Sequence, residues 1–438
     1  MLYQSLQNKQ TKQSAQIKLR IMTAQTPSNE ADLPILIIGA GVAGLVIAQG
    51  LRKHNIAFSL FERQPRAQPA QGHRFRISPE ALDGLLSTAL PETEGLLRRT
   101  AAKRNPAMPL LLDAHAFDIA APDAPRLHGD GVYRGSAPID RSWVRVVLKN
   151  GIEDAVHYDK TFVSYEIARK EEEEEEEGAK IVTVRFADGS SARGRFLIGA
   201  DGIRSGVRRQ LQPERRLLDV ERWSMWGRTP LTADLRSRIP PQMLDYFIAE
   251  DRAAQVTMFM EAVVWPDDKE AILAALPGFQ FSDYLYWAFT VPPGAAAPSI
   301  PQTEQERRDF MARLTAGFHP ALRTVFDEAS YDVSACLPLM SSAPEIGVRG
   351  ADRTGRVTLV GDAAHAMSPM GGSGGDTAIL SAVDLAHTLI NEGVTSEGIA
   401  EFESRMEERA RVKLTWSFKM HKEYSAGKDW TEYGPAEV

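Results

Sequence analysis

At 438 residues the chain is long enough for two intimately joined domains, and a small fold held by disulfides or a metal staple is excluded. Its 43% hydrophobic and 25% charged residues are those of an ordinary globular protein, and a formal charge of -7 is modest for this size, so nothing asks for nucleic acid as a partner. Cys336 is the only cysteine, so neither an intrachain disulfide nor a cysteine-based metal cluster can form, which fits a reducing compartment; no metal site is expected.

Residues 1–30 are Gln-rich and carry Lys9, Lys12, Lys18 and Arg20 before any acidic residue, without the apolar core of a secretory signal. They read as a disordered lead-in to a cytoplasmic protein, although a basic, acid-poor start is also the composition of a mitochondrial presequence. The apolar stretch Leu33–Leu51 has the length of a membrane span, but its glycines follow a pattern that no lipid-spanning helix needs, so no stable membrane insertion is expected. Leu33–Ile38 is instead predicted as a buried strand, Leu45–Lys53 as a helix and Phe58–Phe61 as a second strand.

Between the first strand and the helix stands Gly39-Ala40-Gly41-Val42-Ala43-Gly44, a GxGxxG hexad in the context that dinucleotide binding demands. Gly39 permits the tight turn, Gly41 lets a pyrophosphate approach the backbone, and Gly44 lets helix and strand pack closely. Glu62 follows at the end of the second strand, where a carboxylate accepts from ribose hydroxyls, and Arg63 beside it joins the cofactor-binding candidates. A carboxylate there disfavours a 2'-phosphate and suits FAD or NAD rather than NADP.

Pro106, Pro109, Pro122 and Pro125 punctuate an irregular segment. The run Glu171–Glu177, without which the net charge would be about zero, reads as a solvated loop tip just before a hairpin arm, Ile181–Phe186 with Ala187-Asp188-Gly189. Apolar Phe196–Ile198 then leads into Gly199-Ala200-Asp201-Gly202-Ile203-Arg204-Ser205-Gly206-Val207-Arg208.

Aromatic residues crowd the middle of the chain: Trp223, Trp226, Tyr246, Phe247, Phe259, Trp265, Phe281, Tyr284, Tyr286, Trp287 and Phe289. Alternation around Tyr284–Trp287 suits strands that cover a pocket, or the plain core of a sheet. Downstream, the strand Arg356–Val360 is predicted to enter Gly361-Asp362-Ala363-Ala364-His365, followed by Pro369 and the cluster Gly371–Gly375. Helical patterns fill Thr377–Asn391 and Ile399–Trp416.

Taken together, the hexad, the 199–208 segment and the 361–375 segment, spread from about Pro34 to Arg409, resemble the FAD-dependent monooxygenases of the para-hydroxybenzoate hydroxylase class (group A flavoprotein monooxygenases), in particular fungal secondary-metabolism members. The resemblance implies an α/β fold: a Rossmann-like, glutathione-reductase-like FAD-binding domain from 31–212 and 332–438, with an inserted β-sheet substrate domain at 213–331. It implies that Asp362 hydrogen-bonds the ribitol of FAD and that Pro369, Gly374 and Gly375 lie beside the isoalloxazine ring. Glycines there would let backbone amides approach the ring, and a helix start would supply a positive field. Asp201 maps onto the aspartate that bridges toward FAD, Arg141 onto an arginine that contacts the cofactor from an early helix, and Arg74 onto the segment along the flavin. His365 is expected to order its loop rather than act as a base.

Three positions depart from the pattern: Arg195 stands where an aspartate is usual, Asp376 where asparagine is common, and Ser381 in place of an aspartate. Asp376 is left the task of capping its helix.

The implied function is monooxygenation of an aromatic, polyketide- or alkaloid-like small molecule. NAD(P)H would dock transiently to reduce the flavin, O2 would add at C4a, and a dry pocket would protect the resulting hydroperoxide. No motif marks a catalytic base. An oxidase or hydride-transfer enzyme on the same scaffold, and a non-catalytic binding protein that inherited the fold, remain as alternatives.

Overall fold

The structure, a computed structural model, describes residues 33–437 except 67–73, 104–109, 119–135, 170–179, 277–278, 280 and 353. The first 30 residues, the run Glu171–Glu177 and the prolines Pro106, Pro109, Pro122 and Pro125 lie outside the described residues.

In chain order the strands are β1 (Ile35–Ile38), β2 (Phe58–Phe61), β3 (Arg74–Ile77), β4 (Leu110–Asp113), β5 (Ala137–Asp140), β6 (Val156–His157), β7 (Phe162–Arg169) and β8 (Lys180–Phe186). They continue with β9 (Ser191–Gly194), β10 (Phe196–Gly199), β11 (Leu218–Pro230), β12 (Phe247–Asp251), β13 (Val256–Val263), β14 (Tyr284–Val291), β15 (Ala335–Ser341) and β16 (Val357–Leu359).

Among the described residues, a five-stranded sheet runs in the order β16-β10-β1-β2-β6, and every pairing in it is parallel. A parallel sheet is covered on both faces, which is why Ile35, Leu36, Ile37 and Ile38 form an unbroken apolar run and are all buried. The 33–51 stretch is thus a strand followed by the helix Val42–Lys53, and among the described residues no helix is long and apolar enough to cross a membrane. Against the helix Val42–Lys53 packs a longer one, Gly374–Asn391, and after it runs Ser396–Ser425, nine residues beyond its predicted end at Trp416.

A six-stranded sheet has the order β15-β11-β14-β13-β12-β4, antiparallel except for the β12–β4 pair. It reaches beyond the predicted 213–331 insertion at both edges, with β4 drawn from upstream and β15 from downstream. Strand neighbours are chosen by free edge hydrogen bonds and burial, not by continuity of sequence, so a domain border drawn along the chain cuts this sheet. The predicted hairpin is present: β8 pairs with β9 and also with β7. Finally, β3 and β5 form a separate antiparallel ribbon between the two large sheets' segments.

Candidate active site

The hexad turn is built as its glycines require. Gly39 adopts φ 107°, and a side chain there would run into the carbonyl of Ala200 at the end of β10. A Cβ on Gly44 would collide with the Gly39 carbonyl. Gly41 caps the helix Val42–Lys53 in an extended conformation with no side-chain hydrogen bond, and no acidic residue stands in the first turn, so the helix start presents its positive field.

Glu62 is tied into this turn from the end of β2. Its Oε2 accepts from Ala40 N at 2.9 Å and its Oε1 from Gln64 N at 2.9 Å. Arg145 completes the knot: its Nε donates to Ala40 O at 3.0 Å and its guanidinium lies 3.7 Å from Glu62. Burial pushes the Arg145 pKa down and Glu62 pushes it back. Arg145 was not singled out from sequence; the available signal was its spacing of four from Arg141, which sets both on one face of the helix Arg141–Val147. Arg63, next to Glu62, is exposed and lies outside the lining of the cavity described below.

The downstream segment begins with Gly361 at φ 62°, which turns β16 into the short helix Asp362–His365. The Asp362 carboxylate has no hydrogen-bond partner among the described residues and lines a cavity; burial raises its pKa and the charge of Arg141 opposes that rise. From behind, Arg208 donates to Ala363 O at 3.4 Å, and Arg215 donates to Ala364 O and to Ser342 Oγ at 2.9 Å. His365 is fully buried, and its pKa is pushed down to about 4. Its Nε2 lies 3.2 Å from Ser381 Oγ and its Nδ1 has no partner among the described residues, so it is a neutral packing residue at neutral pH. Ser381, a departure from the family pattern, is therefore the group that orients the ring.

Asp376 and Asp201 both accept from nearby backbone amides. Asp376 does not cap its own helix; its Oδ1 accepts from Ser78 N at 2.7 Å and joins the start of Gly374–Asn391 to the exit of β3. Asp201 is spent within its own segment, where Oδ1 accepts from Ser205 Oγ at 2.5 Å and Oδ2 from Gly206 N at 2.7 Å. A carboxylate next to a helix start is held by its free amides, and it is Ala200 and Gly202, not Asp201, that line the cavity.

That cavity, of about 340 Å³, joins both cofactor segments to the six-stranded sheet. One wall carries Gly41, Val42, Arg141, Asp362 and, beyond them, Pro369, Gly374 and Gly375. The opposite wall is one face of the sheet. In register across β11, β14 and β13 stand Trp226, Ala288 and Phe259, and next to them Arg228, Tyr286 and Glu261. Trp226, Phe259, Tyr286 and the preceding Tyr246 line the cavity. The alternate residues Phe247, Trp287 and Phe289 turn the other way into a separate core, as the period of two dictates. Trp223, Trp265, Phe281 and Tyr284 are likewise buried outside the lining. Burial pushes the Tyr286 hydroxyl up to about 12, against the opposing charge of Arg74, so it is a proton-bearing group at neutral pH. Arg74, mapped from sequence to the segment along the flavin, lines the cavity and is ion-paired with Glu261.

The residues fit FAD on three observations: a side-chain-free cradle at Gly39, Gly41 and Gly44, a carboxylate at Asp362 that lines the cavity without a hydrogen-bond partner among the described residues, and Arg141 in the same lining with its charge acting on that carboxylate.

Comparisons with known proteins follow the same lines. The family described as FAD binding domain matches residues 156–413, more than half of the chain, and that described as NAD(P)-binding Rossmann-like domain matches residues 37–83. The dual O-methyltransferase/FAD-dependent monooxygenase elcB of Phaeosphaeria nodorum is 30% identical over 88% of this chain and 42% of its own length. The FAD-dependent monooxygenase dbaB of Emericella nidulans is 26% identical over 87% of this chain and 92% of its own. The chain spans less than half the length of elcB and of the similarly described CTB3 of Cercospora beticola, of which it covers 45%. The structure of Klebsiella pneumoniae HpxO complexed with FAD and uric acid superposes with a TM-score of 0.69 at 17% identity, covering 92% of this chain and 91% of that one. The 2,6-dihydroxypyridine-3-hydroxylase of Arthrobacter nicotinovorans gives 0.67 at 17%, covering 94% and 98%. At these identities the likeness to solved structures bears on the fold alone.

Proposed function

From the premise that the chain belongs to the FAD binding domain family, we propose that it is an FAD-dependent monooxygenase that consumes NAD(P)H and O2 to place one oxygen atom on an aromatic, polyketide- or alkaloid-like small molecule. The observation that carries this reading is the single cavity in which Gly41, Arg141, Asp362 and the Gly374-Gly375 turn face an aromatic sheet wall.

The residues divide the work by position. The 39–44 turn and the helix start receive the pyrophosphate. Each Glu62 oxygen accepts one amide and keeps a lone pair for a ribose hydroxyl. Asp362 accepts from the ribitol, and Arg141 supplies a positive charge nearby. Gly374, Gly375 and Pro369 leave room for the ring. When bound, the flavin supplies the redox chemistry, taking reducing equivalents from the nicotinamide and passing them to dioxygen. This chain's aromatic wall of Trp226, Phe259 and Tyr286 excludes water and stacks on a planar substrate, while the Tyr286 hydroxyl holds its proton at neutral pH. Arg74 and Asp201 act at one remove, through Glu261 and the 206–211 helix start respectively.

The test has two parts. Asp362→Ala should release FAD or weaken it strongly, read by bound-flavin absorbance after gel filtration. Wild-type protein, incubated in air with NADPH or NADH and a panel of aromatic metabolites, should consume coenzyme and yield a product heavier by one oxygen. Peroxide as the sole oxygen product with every panel member would favour an oxidase.

A further inference from the structure

The ribbon β3–β5 lies between the two walls of the cavity, and its side chains are sorted by the alternation of a strand. Arg74 and Arg76 point to the six-stranded sheet, where both are ion-paired with Glu261 on β13, a side chain with 0% exposure. Arg76 also donates to Ser136 Oγ at 2.7 Å and Ser136 O at 2.8 Å. The ring of Tyr246 stands 5.2 Å from each guanidinium, so both charges also rest against one aromatic ring.

Phe75, between the two arginines, points the other way. Its ring occupies the space that a side chain on Gly375 would need. One residue past the strand, Ser78 N donates to Asp376, the residue after Gly375. The same short strand therefore grips the sheet with one face and the Gly374-Gly375 turn with the other.

We infer that Glu261 is a positioning residue: by anchoring Arg74 and Arg76 it fixes the ribbon, and through Phe75 it sets the Gly374-Gly375 turn against the flavin. The physical basis is that Glu261 is the buried carboxylate shared by both guanidinium groups, and removing it from two largely buried charges is costly and loosens the ribbon's hold on the sheet. A core contact such as Phe75 on a glycine cannot follow that loosening without opening. Glu261 touches no cofactor itself.

This rests on the reading that the turn borders FAD, and the two can fail separately. Glu261→Gln and Phe75→Leu are compared, as FAD-loaded full chains, with Thr229→Val. Thr229 is buried in the same sheet, bonded to Val325 O and Trp287 Nε1 away from the ribbon, so its loss destabilises without touching the clasp. At matched loss of thermal stability, Glu261→Gln and Phe75→Leu should each change the visible circular dichroism of bound flavin and weaken FAD by about ten-fold, within the ordinary range of coupling between sites. Thr229→Val should do neither. The inference is overturned if the two clasp variants keep the wild-type flavin spectrum and affinity, or if Thr229→Val alters both equally. Should Glu261→Gln not fold, Phe75→Leu against Thr229→Val decides alone. Retention of FAD by Asp362→Ala would instead overturn the cofactor assignment.

Discussion

At the scale of single residues, the site depends on what is missing as much as on what is present. Gly44→Ala would place a methyl group against the Gly39 carbonyl, and overpacking of this kind costs about 1–3 kcal/mol. The expected outcome is a lower melting temperature together with loss of bound flavin, measured on the same preparation. Buried imidazoles set a pH response. His365 and His421 both hold native pKa values of about 4 against an ordinary 6.5. Between those values the unfolded chain binds protons that the native chain refuses, so stability falls as pH drops from 6.5 toward 4. Each imidazole should remove about 2 kcal/mol by pH 5 relative to neutral pH. His421 stacks on Tyr433 and neither ring nitrogen has a partner among the described residues, so His421→Leu should shed its share of the acid loss. Denaturant midpoints at pH 7 and pH 5 for both proteins measure it; equal losses in wild type and variant would refute the assignment.

At the scale of elements, β16 is held to the helix Ser396–Ser425 by a titratable contact of the opposite sign. Glu403 accepts from Thr358 Oγ1 at 2.7 Å, and burial pushes its pKa up to about 7. A carboxyl raised from 4.5 to about 7 contributes stability at low pH that is lost as pH rises through that window. Glu403→Gln, neutral at every pH, should therefore gain on the order of 1–2 kcal/mol over wild type at pH 8, with the gain vanishing near pH 5. The same measurement tests whether the helix seats the strand that presents Gly361 and Asp362. The βαβ start was legible in the chain because a buried parallel strand, a glycine turn and a helix each leave a local pattern. The clasp was not: Glu261 sits 185 residues from Arg76, and no local period marks a charge whose partners lie on another sheet.

At the scale of the whole molecule, the cavity lies where two sheets from interleaved chain segments meet, so cofactor binding should report on global stability. Adding FAD to about 100 times its dissociation constant should stabilise the apo-protein by about 2.7 kcal/mol. Thermal melts across an FAD titration check this, and a melting temperature indifferent to FAD would count against the site. The sequence alone determined the cofactor half, since GxGxxG, Glu62 and Gly361-Asp362 are contiguous or regularly spaced signals of backbone conformation and burial. Only the tertiary structure decided that β4 and β15 complete the six-stranded sheet, that Asp201 and Asp376 accept from backbone amides, and that Trp226 and Tyr286 rather than Trp287 face the cavity. The reason is physical: which side chains a strand shows to a ligand, and which partner takes a buried charge, follow from register and packing between segments far apart in the chain, whereas a turn carries its own instructions.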